Sequence, residues 1–217
     1  MKFSKIISFI LHPIFMPIIV LYLGIQNIDV LKIVLHDLLS YLYIIIVVFT
    51  MLLPLITSFI LIKMGVVSSL EMKDKKERRK PLLYSLIWMI IGFQFLKVFQ
   101  ISPIISSIYI GAMIVIFLSL IITEKWKISL HLLGIGGATG AFIALNYIYG
   151  NLFNFVLIFF FLSGILAYAR LEEKSHTFSQ VYIAFILGAL IEGSTIYYYN
   201  SIISTISILR SSIASIL

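Results

Sequence analysis

Seven runs of apolar residues follow one another along the chain, and each is long enough to cross a lipid bilayer as a helix. A hydrocarbon core about 30 Å thick needs about 20 helical residues at a rise of about 1.5 Å per residue. The sequence therefore predicts an all-α integral membrane protein, a bundle of six to seven transmembrane helices in a single domain. The predicted spans are 6–25, 39–63, 82–97, 102–123, 129–149, 152–169 and 177–199, of which the third is the shortest.

The composition agrees with this class and excludes others. Hydrophobic residues make up 61% of the chain and charged residues 12%, against roughly 25% charged residues in soluble domains. The absence of cysteine excludes thiolate metal sites. The net charge of +7 lies in short interruptions between apolar runs, which favours lipid headgroups or phosphate as partners over nucleic acid. We therefore expect the bilayer and an anionic lipid as partners.

The two ends of the chain carry further predictions. The first run begins with lysines and resembles a signal peptide, but no small-residue cleavage site follows it, so we expect it to be retained. His12-Pro13 and Pro17 predict a kink in this span, because proline removes a backbone hydrogen bond. Residues 201–217 carry isoleucines at helical spacing with serines between them, which predicts an interfacial amphipathic helix.

Polar residues are concentrated in three interruptions, at 71–80 (EMKDKKERRK), 124–131 (EKWKISLH) and 170–180 (RLEEKSHTFSQ). Two predicted spans separate each interruption from the next, so the chain returns to the same membrane face each time. We expect all three interruptions to meet there. Of the 16 lysines and arginines, thirteen fall on this face and three on the other. The excess of positive charge predicts that this face is cytoplasmic.

The third interruption combines a cation, an imidazole and an amide. Arg170 precedes His176 by six positions, and Gln180 follows it by four. On a helix that begins near Thr177, His176 and Gln180 share one face, where the amide can hydrogen-bond one imidazole nitrogen and select the tautomer. Arg170 adds a cation suited to an oxyanion. The alternative is a histidine and a glutamine at a hydrated helix end.

The second interruption ends at the start of the fifth predicted span. Ser129 is well placed to be the N-cap of that helix, and His131 lies in its first turn. The free N–H groups of a first turn favour an anion. The glycine-rich stretch 134–141 (GIGGATGA) is typical of a close helix-packing face.

The first interruption is the most basic. Lys73, Lys76 and Lys80 form one stripe if this segment is helical. The alternative is a solvated loop that faces the headgroups. Another ionisable residue, Glu192, follows His176 by sixteen positions, about 24 Å along a helix. We therefore expect Glu192 to be too distant for the chemistry of His176, although a carboxyl within a span suggests a function.

Taken together, these residues resemble the three-part signature of the type 2 phosphatidic acid phosphatase superfamily. Lys73 and, after six residues, Lys80-Pro81 correspond to the first part. The second and third parts are Ser129-Leu130-His131 and the set Arg170, His176 and Gln180. Order and spacing agree over 73–180. Divergent bacterial members with first motifs similar to KDRKER and third motifs similar to ARL…HT..QV are closer still.

The resemblance implies a metal-independent lipid phosphate phosphatase that needs no cofactor. In such an enzyme His176 attacks phosphorus and forms a phosphohistidine, His131 protonates the leaving oxygen, and Gln180 orients His176. The substrate is a phosphomonoester or pyrophosphate of a lipid, with phosphatidate, phosphatidylglycerophosphate, polyprenyl pyrophosphate and a lipid A phosphate as candidates. The groups expected to hold the phosphoryl oxygens are Lys73, Ser129, Arg170 and one cation among Arg78, Arg79 and Lys80.

Five positions depart from the signature of this superfamily. Lys80 replaces an arginine, Ile128 and Leu130 replace a proline and a glycine, and Ala169 replaces a serine. The largest departure is Gln180, where the superfamily carries an aspartate. An amide orients an imidazole, but it does not stabilise the imidazolium as a carboxylate does.

These departures keep a second functional class open. A non-catalytic protein that binds or transports an anionic lipid would use the same cations without the nucleophile. In either case we expect a multi-pass protein of the inner, cytoplasmic membrane of a bacterium. Members of the superfamily mostly act on the outer face, whereas the charge count here favours the cytoplasmic face. The sequence leaves the oligomeric state open.

Overall fold

The computed structural model describes residues 2–72, 74–99 and 101–214, which are almost entirely helical. The structure is 85% helical and has no strand in this part of the chain. The helices are α1 (Lys2–Ile10), α2 (Met16–Asn27), α3 (Asp29–Val34), α4 (Leu39–Ile46), α5 (Leu53–Lys63), α6 (Arg79–Val98), α7 (Pro103–Lys125), α8 (Leu130–Tyr149), α9 (Phe153–Glu172) and α10 (Phe178–Ala214).

Seven segments within the described residues are long and apolar enough to span a membrane, so the prediction of an all-α membrane bundle is confirmed. The segments are Phe3–Asn27, His36–Lys63, Lys75–Val98, Pro103–Lys125, Leu130–Tyr149, Phe153–Glu172 and Phe178–Tyr199. The third span was expected to be the shortest, which is wrong. It extends into the first polar interruption because the long side chains of Arg79 and Lys80 lie exposed on its first turn.

The first span is broken where its prolines predicted a kink. Helix α1 ends at Ile10, a 3₁₀ turn covers Pro13–Phe15, and α2 begins at Met16. His12 adopts an extended backbone, with φ −65° and ψ 136°, as expected before a proline, whose ring disfavours the helical conformation of the preceding residue. The break leaves the last carbonyls of α1 free to accept other hydrogen bonds.

The second span contains a similar irregularity. Residues Val47–Leu52 form a π-helix between α4 and α5, directly before Pro54. A proline lacks the N–H that an α-helix needs and crowds the carbonyl four residues earlier, so the backbone widens here. The hydroxyl of Thr50 donates to the Ile46 carbonyl at 2.7 Å. The widened turn lines the interior cavity described below.

Helix α8 lies at the centre of the bundle, and its glycines place it directly against α10. A Cβ atom at Gly136 or Gly140 would collide with the carbonyl oxygen of Phe185 or Ala189, respectively. Only glycine permits these backbone contacts. The prediction of a packing face in the stretch 134–141 is confirmed.

Gly140→Ala is expected to lower the thermal unfolding temperature in detergent, because neither backbone can yield to the added methyl group. Overpacking of this kind costs about 1–3 kcal/mol. Gly164→Ala is the matched control, since a Cβ there meets no atom within 4 Å and alanine favours the helix. Equal unfolding temperatures for the two variants would contradict close packing of α8 on α10.

The last helix continues past its span. Helix α10 runs without interruption from Phe178 to Ala214, so the backbone of 201–214 continues the seventh span and does not form a separate helix. Residues 215–217 lie outside the described residues. The expected interfacial position of this segment stays a prediction.

Candidate functional site

One interior cavity brings together residues from all three polar interruptions. It has a volume of about 230 Å³. Its polar end is lined by Glu71 and Arg78 from the first interruption, His131 from the second, and Arg170 and His176 from the third. His131, Arg170 and His176, which the sequence singles out, therefore line the same cavity as Arg78.

His176 lies in the turn between α9 and α10 and is 8% exposed. Its Nδ1 is 3.1 Å from Oε1 of Gln180, and the same oxygen accepts the backbone N–H of Thr177 at 3.2 Å. The Thr177 contact identifies the amide atom as the oxygen, so Nδ1 of His176 must be the donor. The imidazole is thereby held in the tautomer whose Nε2 carries a free lone pair.

The surroundings of His176 favour its neutral form. Burial lowers the pKa of His176 from 6.5 to about 4, and the positive charges of Arg78, Arg170 and Lys127 act in the same direction. The hydrogen bond to Gln180 opposes this shift. At neutral pH the ring is therefore uncharged and nucleophilic.

Of the three cations that end the first interruption, Arg78 alone lines the cavity. Arg78 is 3% exposed and donates from Nε to the Met72 carbonyl (3.2 Å) and from Nη1 to the Ile128 carbonyl (2.8 Å). The side chain of Arg79 is 73% exposed and lies 3.8 Å from Glu124. Lys80 is also exposed. Successive helical residues point about 100° apart, so Arg78 is the one of these three candidates that faces the cavity.

Lys75 and Lys76, the other lysines of this interruption that the structure describes, do not line the cavity. Lys73 lies outside the described residues. Lys75 donates to the carbonyls of Glu124 (3.1 Å) and Lys125 (2.9 Å). It thus caps the carboxyl end of α7, an end that favours a positive charge.

Arg170 lies near the end of α9 and is held by two partners. Its Nη1 donates to Oε2 of Glu173 at 2.6 Å and to Oγ of Ser8 at 3.2 Å. Its Nε is buried without a partner among the described residues. The nearby carboxylate of Glu173 pairs with Arg170 and does not replace the missing aspartate, because the group on Nδ1 of His176 is Gln180.

His131 lies in the first turn of α8, half-buried, with Nε2 3.0 Å from the Ser8 carbonyl. Because a carbonyl only accepts, Nε2 carries a proton and Nδ1 is the nitrogen left for other partners. Ser8 therefore joins two site residues, since its hydroxyl contacts Arg170 and its carbonyl contacts His131. That carbonyl is available because α1 ends two residues later.

Ser129 occupies the N-cap position of α8, but the expected capping hydrogen bond is absent. Its hydroxyl is buried without a partner among the described residues, and Ser129 is not part of the cavity lining. Its backbone N–H donates to the Gln180 carbonyl at 3.4 Å. Ser129 thus connects α8 to the start of α10, and the structure does not bring its hydroxyl to the cavity.

His12 is a cavity residue that the sequence argument missed. Its ring lies 5.1 Å from that of His131 at an interplanar angle of 82°. Its Nδ1 accepts the N–H of Ile14 at 3.3 Å, so Nε2 carries the proton. Pro13 packs on Gly134 of α8, where a Cβ would meet the proline at 2.8 Å. The available signal was a histidine directly before a proline within a membrane span.

Glu192, expected to be remote from the site, lines the same cavity. It lies on α10, fourteen residues after Phe178, about 21 Å along the helix. The expectation of a long distance from His176 agrees with this position, but the two residues share one cavity. Among the described residues, no group of three or more histidine, aspartate and glutamate side chains is arranged to hold a metal ion.

Comparison with known protein families, characterised proteins and solved structures finds no match for this chain. The seven apolar helices identify a multi-pass membrane protein. Everything more specific depends on the side chains around the cavity.

Proposed function

We propose that the protein is a membrane-embedded lipid phosphatase, which hydrolyses a phosphomonoester or pyrophosphate of a lipid through a phosphohistidine. The observation that supports it most is the environment of His176. A neutral imidazole with a free Nε2 lies in a cavity that also holds two buried arginines and a second imidazole. The resemblance to type 2 phosphatidic acid phosphatases points to the same chemistry.

In the first step Nε2 of His176 attacks phosphorus and the bond from phosphorus to the lipid oxygen breaks. Gln180 accepts the hydrogen bond from Nδ1–H throughout and keeps the ring oriented, which is the part of the aspartate's role that an amide can perform. His131 donates Nε2–H to the Ser8 carbonyl, and for this step its Nδ1 takes up a proton that the negative charge of the bound phosphate favours. It gives this proton to the leaving oxygen. The products of this step are the lipid alcohol and phosphohistidine.

In the second step water attacks the phosphohistidine. His131 takes a proton from the water, the bond from nitrogen to phosphorus breaks, and inorganic phosphate leaves. His12 and the Ser8 carbonyl hold the His131 ring between two contacts. The cycle thus returns both histidines to their starting states.

Arg78 and Arg170 supply the positive charge that the transferring phosphoryl group requires. Each is fixed in advance, Arg78 by two backbone carbonyls and Arg170 by Glu173 and Ser8. The unpartnered Nε of Arg170 is a donor suited to a phosphate oxygen. We propose Lys73 as a third cation by resemblance alone, and we propose that this face is cytoplasmic from the charge count.

The direct test is phosphate release from a panel of lipid monophosphates and pyrophosphates by the purified protein, with and without a chelator. We expect release from at least one lipid class that is unchanged by chelation. Release that stops with the chelator would contradict the mechanism, and no release from any member would contradict the proposed function.

Arg78→Ala is expected to lower kcat/KM by about 10²–10³-fold, the usual cost of removing one group that stabilises a transition state. Arg79→Ala is the matched control, since it removes the same side chain from the neighbouring position, where it is exposed. The control should keep activity within about twofold, because surface ion pairs contribute little. Equal losses would mean that the arginines act through the overall charge of this face.

One observation favours the rival class, a non-catalytic protein that binds or transports an anionic lipid. Gln180 does not stabilise an imidazolium, and Glu173 already neutralises part of the charge of Arg170. This rival would be established if the wild type and His176→Ala bind lipid phosphates with equal affinity and neither releases phosphate.

A further inference from the structure

The cavity continues from the polar end into the membrane interior along five helices. Each wall helix contributes residues three or four positions apart, so the cavity follows the helix axes and is elongated. On α6 these residues are Leu82, Ser85 and Met89, and on α7 they are Ile108, Ala112 and Val115. Glu192, which lines the inner part, lies about 21 Å along α10 from the start of that helix. This depth is more than half of a hydrocarbon core of about 30 Å.

The wall of this inner part presents only hydrocarbon to a ligand. Its few hydroxyl groups donate to carbonyls of their own helices. Thr50 bonds to Ile46, Ser58 to Pro54, Ser85 to Pro81 and Ser119 to Ile116, all at 2.7–2.8 Å. The inner part therefore suits a saturated or prenyl chain.

Glu192 is the innermost ionisable residue of the cavity lining. Its side chain is 5% exposed and makes no hydrogen bond or ion pair with any residue that the structure describes. Gly111 of α7 lies against the carboxyl group, where any Cβ atom would collide with it. The carboxyl group is thereby held against α7, and the lining of the cavity continues one turn farther along α7 to Ile108.

We propose that this cavity takes one hydrocarbon chain of an anionic amphiphile, with the phosphate at Arg78 and Arg170 and the chain end at Glu192. Glu192 thus limits the length of the chain. The phosphate part of this assignment rests on the proposed function. The volume of about 230 Å³ is about one and a half times that of a cavity of about 150 Å³ that holds benzene, which leaves no room for two chains side by side.

Free-energy magnitudes explain why a carboxyl group stops a chain. Each methylene group that leaves water improves affinity by about fourfold. Covering a polar group that then finds no hydrogen bond lowers affinity by about tenfold or more. A chain that reaches Glu192 therefore loses more by advancing than it gains.

The test measures binding of n-alkyl monophosphates of increasing length to the full-length protein in nanodiscs, by calorimetry, with empty nanodiscs as background. His176→Ala serves as the parent, so that binding is measured without turnover. We expect affinity to rise about fourfold per methylene group up to a limiting length and then to level off. An affinity that rises with length throughout the series would overturn the proposal.

Three variants of this parent locate the limit. Glu192→Ala should move the limit to longer chains, Glu192→Gln should keep it because the volume and polarity remain, and Val115→Phe should move it to shorter chains by obstructing the passage. An unchanged limit in Glu192→Ala would overturn the role of Glu192. If Glu192→Ala does not fold, an unchanged limit in Val115→Phe would overturn the chain site.

Phosphate release by the wild-type protein on the same compounds separates the two proposals. If the limiting chain length moves with these variants but the wild type releases no phosphate, the chain site is supported and the phosphatase is contradicted. Release that ignores chain length would support the phosphatase and overturn the chain site.

Discussion

Replacing His176 with alanine is expected to lower phosphate release from a lipid monophosphate by about 10⁶-fold, the size of effect that follows loss of the nucleophile in a serine protease. The variant removes the one imidazole whose Nε2 lone pair is free while Nδ1 is held by Gln180. Water would then have to attack phosphorus directly, without a covalent intermediate. Single-turnover phosphate release in detergent micelles measures this loss.

The matched control is His36→Ala. His36 begins the second span, its side chain is 81% exposed, and its Nδ1 lies 3.0 Å from Asp37. The same chemical change there should leave activity within about twofold, because exposed pairs contribute little. Retention of more than about 1% of the wild-type rate by His176→Ala would contradict its role as the nucleophile, since this corresponds to a loss of only about 3 kcal/mol in transition-state stabilisation.

The intermediate gives a second readout of the same prediction. Protein incubated briefly with a radiolabelled lipid phosphate should carry label that is stable in alkali and lost in acid, as a bond from nitrogen to phosphorus requires. His176→Ala should carry none, and His131→Ala should still be labelled, because the second histidine acts on the leaving oxygen. Label on His176→Ala would assign the covalent step to another residue.

The helices were predictable because span length and apolar composition have a direct physical cause. A backbone in hydrocarbon must satisfy its own hydrogen bonds, so long apolar runs become helices. The break at Pro13 was predictable for an equally local reason, the missing N–H. Two spans between successive interruptions return the chain to one face, and this parity anticipated that His131, Arg170 and His176 would meet.

The choice between neighbouring residues was not predictable in this way. Arg78 and Arg79 have the same chemistry and adjacent positions, and the start of α6 determines which one points inward. The sequence contains no strong signal for that start, because the polar interruption precedes it directly. Similarly, Ser129 has the right position for a cap, but the packing of α8 against the start of α10 leaves its hydroxyl without that bond.

Contacts between distant segments account for the remaining omissions. Ser8 and His12 belong to the site because the broken first span packs on α8, and that packing depends on Gly134. Both Ser8 and His12 lie far along the chain from the three polar interruptions. From the sequence alone, Glu192 was excluded from the site because of its distance from His176 along α10. The cavity extends over the same distance, so Glu192 still lines it. A one-dimensional spacing rule does not detect an elongated cavity.

Gln180→Leu is expected to lower kcat by about 10³–10⁴-fold, close to the loss that follows when a protease loses the group that sets the tautomer of its histidine. Leucine keeps the apolar volume but accepts no hydrogen bond from Nδ1. The ring of His176 is then free to rotate and to place its proton on Nε2, where the lone pair is needed. KM should change little, because Gln180 is not part of the cavity lining. A loss that appears in KM alone would contradict a role in orientation.

Gln180→Glu tests the same contact through pH. Burial lowers the pKa of His176 to about 4, so the wild-type nucleophile is neutral at higher pH, and activity should fall as the pH drops through about 4. A carboxylate on Nδ1 stabilises the imidazolium, which raises this pKa and moves the acid limb of the kcat/KM profile to higher pH. Gln180→Leu removes a hydrogen bond that raises the pKa, so its limb should move to lower pH.

The opposite directions of these two shifts distinguish an electrostatic role from a merely structural one. A general loss of folding would lower activity in both variants at every pH and would leave the position of the limb unchanged. Identical acid limbs in the wild type, Gln180→Glu and Gln180→Leu would therefore show that His176 does not titrate in the rate-limiting step. An imidazolium forms when His176 attacks phosphorus, and a carboxylate at position 180 stabilises it. A higher kcat for Gln180→Glu at neutral pH would therefore show that the wild-type amide limits the rate of this step.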